Sequence, residues 1–244
     1  MIISIPSVVI LTAFFLSLWG ASIRFTTPML FALAFLPMFG IGGLTGLPLG
    51  LAPSDIHLHD TYYVIGHFHY VVAPGTIFAL FAGVYYWFPK ATGRKMNEML
   101  GALHFWGSFV CINTVFMPMF AQGLAGMNRR MYDGGGMYDH NKVVLGHLLG
   151  HAITPVSLNI VIGFGAWGLG LFQLPFIINF FSSIKWGKAV NQNPWEATTL
   201  EWAAPSPPGH GNFLTEPIVY RGPYEYSVPG APSDFTPQFE PERA

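Results

Sequence analysis

The sequence predicts an all-α membrane protein: about five transmembrane helices followed by an extended, proline-rich carboxyl-terminal tail. Three observations carry this. The 244 residues are 52% hydrophobic and 16% aromatic but only 9% charged, against about 25% charged in an average soluble domain. Between Met1 and Ser54 the only charged side chain is Arg24, and apolar runs of spanning length recur downstream. After Lys188 the last 56 residues hold ten of the chain's 20 prolines and no long apolar run.

The spans fall at approximately residues 2–18, 28–47, 62–88, 100–122 and 144–181, giving a membrane region over 1–188 and an extramembrane tail over 189–244. The first run lacks a basic flank and has Pro6 early, which favours a span over a secretory signal peptide. The last is long enough to include a tilted or interfacial portion. Lysine and arginine cluster at Arg24, at Lys90, Arg94 and Lys95, and at Lys185 and Lys188, all on one side if the spans alternate. That side is then the cytoplasm or its equivalent. The tail is expected to lie extended on a partner or to be partly disordered. Glycines such as Gly42-Gly43 and Gly163/Gly165 are read as close helix packing.

Several functions are disfavoured at once. A formal net charge of −1 leaves no basic surface for a nucleic-acid backbone, so no nucleic-acid partner is expected. The single Cys111 forms neither an internal disulfide nor a thiolate cluster. No Asp, Glu, Lys or Arg lies in the middle of any span, whereas a stand-alone ion pump usually carries one.

Histidines carry the chemistry. Four of the nine, His57, His59, His67 and His69, fall within thirteen residues. His67 and His69 lie about one turn inside the third span, and residues two apart on a helix point roughly 200° apart. A regular helix cannot bring both rings to one ion. The pair instead suits two large cofactors flanking one helix, such as two imidazole-ligated haems, or else two structural histidines bonded to neighbouring helices. His59 and Asp60 sit just outside this helix and offer an imidazole and a carboxylate to a Mg or Mn ion, or Asp60 serves as a helix cap. Asp55, Asp60, Arg129 and Arg130 share that face, where the arginines oppose the positive-inside bias and call for an anionic partner; an ordinary ion-pair cluster is the alternative. His147 and His151, spaced i, i+4 at the start of the last span, are read as interfacial, His104 as a structural polar contact, and His140 and His210 as loop residues.

At His59-Asp-Thr-Tyr-Tyr63 and His67-Phe-His69 the sequence resembles subunit I of the haem-copper oxidase superfamily, the cytochrome c oxidase branch. The likeness continues through Gly42-Gly-Leu-Thr-Gly46, Trp87-Phe-Pro-Lys-Ala-Thr-Gly93 and Met127-Asn-Arg-Arg130, then Asn193-Pro-Trp195, Thr199-Leu-Glu-Trp202 and Pro207-Pro208 in the tail. Asn128 stands where the family commonly has proline. The resemblance implies that His67 is the axial ligand of the high-spin haem at the oxygen-reducing centre and His69 an axial ligand of the low-spin haem, with Phe68 between them. It also implies that His59 and Asp60 hold Mg or Mn at the interface with subunit II, and that Asp55, Arg129 and Arg130 surround the haem propionates. Haem A is implied at both positions.

The resemblance covers roughly Ile2 to Phe213 and corresponds to the carboxyl-terminal half of the family's chain. The family's copper ligands lie in the other half, so copper is expected from a polypeptide carrying the amino-terminal half. Where the commonest branch has a proton-pathway lysine four residues after a proline, this sequence has Ile10; Ser7 and Thr12 are the nearby hydroxyls.

The expected function is therefore part of the catalytic subunit of a terminal cytochrome c oxidase, reducing oxygen to water with coupled proton translocation. Subunits II and III, cytochrome c and membrane lipid are the expected partners, in a bacterial inner membrane ahead of a mitochondrial one. A quinol-oxidising relative and a non-catalytic assembly or scaffold protein are the alternatives. A di-iron desaturase is disfavoured, because its histidine boxes converge whereas His67 and His69 diverge.

Overall fold

The computed structural model describes residues 2–142, 147–148, 151–213, 215–222 and 236–241, with His147 and Leu148 described by backbone alone. Two compact units divide the chain: Met1–Gly83 with Glu98–Phe176, and Val84–Asn97 with Ile177–Ala244. The elements in chain order are α1 (Ser4–Leu18), α2 (Thr27–Leu49), α3 (Ala52–Leu58), α4 (Tyr62–Val72), a π-helical segment (Ala73–Phe78), α5 (Ala79–Thr92), β1 (Arg94–Lys95), α6 (Glu98–Leu124), β2 (His147–Leu148), β3 (His151–Ala152), α7 (Pro155–Leu171), α8 (Gln173–Trp186) and β4 (Lys188–Ala189).

Among the described residues four helices are long and apolar enough to cross a membrane: Thr27–Leu49, Tyr62–Thr92, Glu98–Leu124 and Pro155–Trp186. One of the five spans expected falls short. The first run forms a helix of only 15 residues, roughly 22 Å at 1.5 Å per residue and short of a hydrocarbon core about 30 Å thick. Residue 144, where the last span was expected to begin, lies outside the described residues; α7 begins at Pro155. There Thr154 caps the helix: its hydroxyl accepts the Ser157 amide, Ser157 Oγ accepts the Thr154 amide, and Pro155 occupies the first turn, where its missing N–H costs nothing. Just upstream, β2 and β3 form a short antiparallel pair. In the third span Pro74 supplies no backbone donor, and the chain widens into the π-helical segment that separates α4 from α5.

In the first unit α6 packs against α4 and α7, and α2 against α4. Polar ties fix which helix ends meet. At one end the Glu98 carboxylate accepts the Thr27 amide at 3.0 Å and its hydroxyl at 2.7 Å. At the other, Thr61 bridges Asn128, Asn141 donates to the Ala125 carbonyl, and Thr154 donates to Asp139. The starts of α2 and α6 therefore share one end, and the starts of α4 and α7 the other. That is the alternation on which the charge argument rests.

Between the ends, glycines set the spacing. A Cβ on Gly42 of α2 would stand 2.9 Å from the Val71 nitrogen, one on Gly66 of α4 3.2 Å from the Phe120 ring, and one on Gly123 of α6 would run into the Tyr63 nitrogen. Helices in lipid gain nothing from burying apolar surface against each other, so such backbone approaches carry the packing.

In the second unit β1 pairs with β4, Lys95 opposite Lys188, so two of the basic clusters do share an end. The first part of the tail is laid on its own chain. Trp195 Nε1 donates to the Tyr86 carbonyl at 2.9 Å and buried Trp202 donates to the Tyr86 hydroxyl at 2.8 Å. Lys90 donates to the Ala204 carbonyl and lies 4.8 Å over the Trp202 ring.

The glycine contacts predict the outcome of one substitution. Gly123→Ala forces a Cβ into the Tyr63 backbone, and overpacking of this kind costs roughly 1–3 kcal/mol. Its thermal unfolding midpoint in detergent is expected to fall, while Gly163→Ala, which meets nothing within 4 Å and replaces a poor helix former by a good one, does not lower it.

Candidate functional site

The site is built on α4. Its amino terminus is capped by Thr61, whose hydroxyl accepts the Tyr63 amide at 3.3 Å. The cap that was the alternative reading of Asp60 is thus made by its neighbour, and Asp60 itself adopts a left-handed φ of +57° at the turn into the helix.

His67 points at α2. Its Nδ1 lies 2.8 Å from the Gly42 carbonyl and 3.3 Å from Thr45 Oγ1. A carbonyl only accepts, so Nδ1 is the donor of this pair, and the neutral tautomer that matches it has its lone pair on Nε2. Gly46 backs the ring: a Cβ there would stand 2.7 Å from His67 Cε1. His69 points instead at α6. Its Nδ1 donates to the Ile65 carbonyl one turn back at 2.8 Å, which leaves its Nε2 free in the same way. The ring stacks on Phe116, with centroids 4.4 Å apart and planes 13° from parallel. Phe68, between the two histidines, is 41% exposed.

This donor set fits two metal-ligating imidazoles. Each ring is held through Nδ1 by a backbone carbonyl, the arrangement that fixes tautomer and orientation in metal-ligating histidines, and each has Nε2 unengaged among the described residues. The faces differ, as a spacing of two on a helix requires.

At the mouth of α4 the structure gathers His59, Asp60, Asp55 and Arg129. Asp60 Oδ1 accepts from Arg129 Nε at 2.8 Å, with Nη2 at 2.6 Å. His59 Nε2 lies 3.4 Å from Asp60 Oδ2, and its Nδ1 4.0 Å from Asp55 Oδ2. The hydrogen bond from Arg129, aided by the nearby cationic charge, holds the Asp60 carboxyl below its ordinary value of 3.8. Backbone contacts clamp the same junction: the Tyr62 amide donates to the Met127 carbonyl and the Arg129 amide to the Asp60 carbonyl, both at 2.9 Å. Arg130 is exposed and holds a left-handed φ of +64°. Among the described residues no group of three or more His, Cys, Asp or Glu converges as a metal cage. His59 and Asp60 are adjacent, but the Asp60 oxygen nearest Arg129 is already engaged.

The remaining histidines separate from this site. His104 is fully buried among Phe31, Phe81 and Phe176, with Nε2 3.2 Å from Gln173 Oε1. His147 and His151 stand on paired strands, His147 opposite Ala152 and Leu148 opposite His151, so the shared helical face expected of them does not form. Sequence reasoning did not find Phe116 or Thr45. Thr45 lay within the Gly42–Gly46 stretch that carries the resemblance but had no role assigned to it, and Phe116 carried no local signal.

A bundle of apolar helices, one of which carries two imidazoles on opposite faces, each with no partner at Nε2 among the described residues, defines the class: a helical membrane protein. Comparison places it further. Residues 1–158 match the family model of cytochrome c and quinol oxidase polypeptide I, and the chain belongs to that family. It is 45% identical over 228 residues to the cytochrome c oxidase subunit 1 of Synechocystis sp., which covers 93% of this chain and 38% of that relative. It is 42% identical to the alternative cytochrome c oxidase subunit 1 of Bradyrhizobium diazoefficiens, over 99% of this chain and 39% of the relative. The chain thus spans less than two fifths of the length of these relatives. A cryo-EM structure of a heme-copper terminal oxidase dimer shares the fold at a TM-score of 0.53 and 20% identity, covering 67% of this chain and 28% of that one.

The clamp at the mouth of α4 has a measurable consequence. Arg129→Gln removes the charged donor to Asp60. Hydrogen exchange at the Tyr62 and Arg129 amides is expected to quicken, with exchange along α6 unchanged.

Proposed function

We propose that this chain supplies haem ligands to the catalytic subunit of a terminal oxidase: His67 to the high-spin haem of the oxygen-reducing centre, His69 to the low-spin haem. The observation that carries the reading is the pair of imidazoles on opposite faces of α4, each with Nδ1 donating to a backbone carbonyl at 2.8 Å. This leaves two Nε2 lone pairs aimed away from each other, which suits two irons and no shared one. The bound haems, of type A by family likeness, supply the electron transfer and oxygen reduction. The protein's part is to hold each imidazole in one tautomer and one direction and to keep water from the helix faces between them. Phe68, exposed between the two histidines, fills the gap with an apolar ring.

Arg129 and Arg130 sit at the end of α6 beside the start of α4, where cationic donors suit haem propionates, and Asp55 and Asp60 hold that cluster in place. His59 with Asp60 offers two ligands to a Mg or Mn ion; the rest come from water or subunit II. Copper belongs to the part of subunit I outside this stretch. On this reading the working assembly includes the rest of subunit I, subunits II and III and membrane lipid, takes electrons from cytochrome c and sits in a bacterial inner membrane with coupled proton translocation. Residues 1–188 form its membrane part, and the tail over 189–244 lies at the basic, cytoplasmic side.

Reduced-minus-oxidised spectra of the complex purified from its native membrane, with and without carbon monoxide, test this. His69→Ala is expected to abolish the low-spin band and keep the carbon monoxide-sensitive one, and His67→Ala to do the reverse. An intact low-spin band in His69→Ala, or a well-folded complex without haem, would sink the reading; the latter leaves an assembly or scaffold role.

A further inference from the structure

The hydrogen bond from His69 Nδ1 to the Ile65 carbonyl fixes where that nitrogen points. It leaves only the play about the Cβ–Cγ bond that the angular tolerance of a hydrogen bond permits. Two aromatic rings bound that play: Phe68, with its centroid 4.2 Å from that of His69 and its plane 31° away, and Phe116, which lies closer to parallel. Gly66 allows α6 to approach α4 so closely that a Cβ on it would stand 3.3 Å from the Phe116 carbonyl. His69, three residues after Gly66, therefore lies over the Phe116 ring at 4.4 Å and within 13° of parallel. A parallel aromatic face resists tilting of the imidazole, because any rotation drives one edge of the ring into it. His67 is held by a different device: the Gly42 carbonyl, Thr45 Oγ1 and the bare backbone of Gly46 crowd its ring against α2.

We propose that Phe116 is a positioning residue that sets the plane of the His69 imidazole and thereby the rotational setting of that ligand at the low-spin haem. This rests on His69 being an axial ligand. The plane of an axial imidazole decides how its π orbital overlaps the iron d orbitals, so a freed ring changes the magnetic anisotropy and redox equilibrium of that iron while leaving the ligand in place.

The test is electron paramagnetic resonance and potentiometric titration of the holo-complex carrying Phe116→Leu, Phe116→Met and Phe116→Tyr. The Leu and Met variants lack a flat face, and Met keeps most of the volume should Leu fail to assemble. Both are expected to retain full haem content while the low-spin ferric signal shifts and broadens and its midpoint moves; the high-spin, carbon monoxide-reactive signal stays as in the parent. Phe116→Tyr, which keeps the face, is expected to behave as the parent. Parental low-spin line shape and midpoint in Phe116→Met would overturn the proposal, as would a Tyr variant altered as much as Met. A low-spin signal that survives in His69→Ala overturns the ligand assignment instead, so the two failures are told apart.

Discussion

Helix α4 is gripped at backbone distance from two sides, and the rest of the site depends on that grip. Gly42 of α2 leaves no room for a Cβ beside Val71, and Gly123 of α6 leaves none beside Tyr63. Contacts this close lock the rotation of α4 about its own axis, because a turn of even a few degrees presses a side chain into a neighbouring backbone. Once the rotation is locked, a spacing of two residues sends His67 to one neighbour and His69 to the other. Tyr70 supports the same setting from the buried side: its hydroxyl donates to Asn113 Oδ1 at 2.6 Å, while the Asn113 amide donates to the Phe109 carbonyl of its own helix. An amide bonded in two directions in a low-dielectric interior tolerates little displacement of either partner.

How much of this was legible in the sequence follows from the range of each interaction. The helical class was legible because exclusion of charge over long runs is a local property, and so was the divergence of His67 and His69, which needs only the pitch of a helix. Residues 55, 60, 129 and 130 were placed on one face by counting spans. That Arg129 closes on Asp60, using a carboxylate oxygen considered for a metal, depends on residues 127–130 returning to residue 60, a contact no short-range pattern encodes. Phe116 stacks on a histidine 47 positions away, and phenylalanine in an apolar span is too common to stand out. The start of α7 was hard to read for a different reason: apolar residues precede it in the sequence, and the Thr154–Ser157 capping box marks where the helix begins.

The tail shows composition and packing pulling in opposite directions. Prolines remove donors and fix φ, which argues for an extended chain with little internal structure. Yet Trp195 and Trp202 each carry a large apolar ring and one N–H that demands a partner once buried. Both find it on Tyr86, at the carbonyl and the hydroxyl. Asn193 closes the intervening turn, accepting the Ala197 amide and donating to its carbonyl. Extended backbone and ordered packing are therefore compatible here: the prolines exclude regular helix and the aromatics supply the anchor.

Charge placement ties these features to the proposed chemistry. Among the described residues the carboxylate ties of the first unit sit at helix ends: Glu98 against Thr27 at one end, Asp60 against Arg129 at the other. Between them the ties run through Tyr70 and Asn113 and through the imidazoles of His67 and His104. A fixed charge in the apolar middle would cost several kcal/mol to desolvate and would bias the equilibrium of any redox centre beside it. A bundle without a carboxylate, lysine or arginine tie in its middle leaves the imidazoles, their carbonyl partners and the rings of Phe68 and Phe116 against His69 as the groups that would define the surroundings of the proposed metal. For such a centre the orientation of one ring is a larger fraction of the protein's total influence than it would be beside a carboxylate or a lysine, and that is why a contact as weak as a stacked phenylalanine can matter.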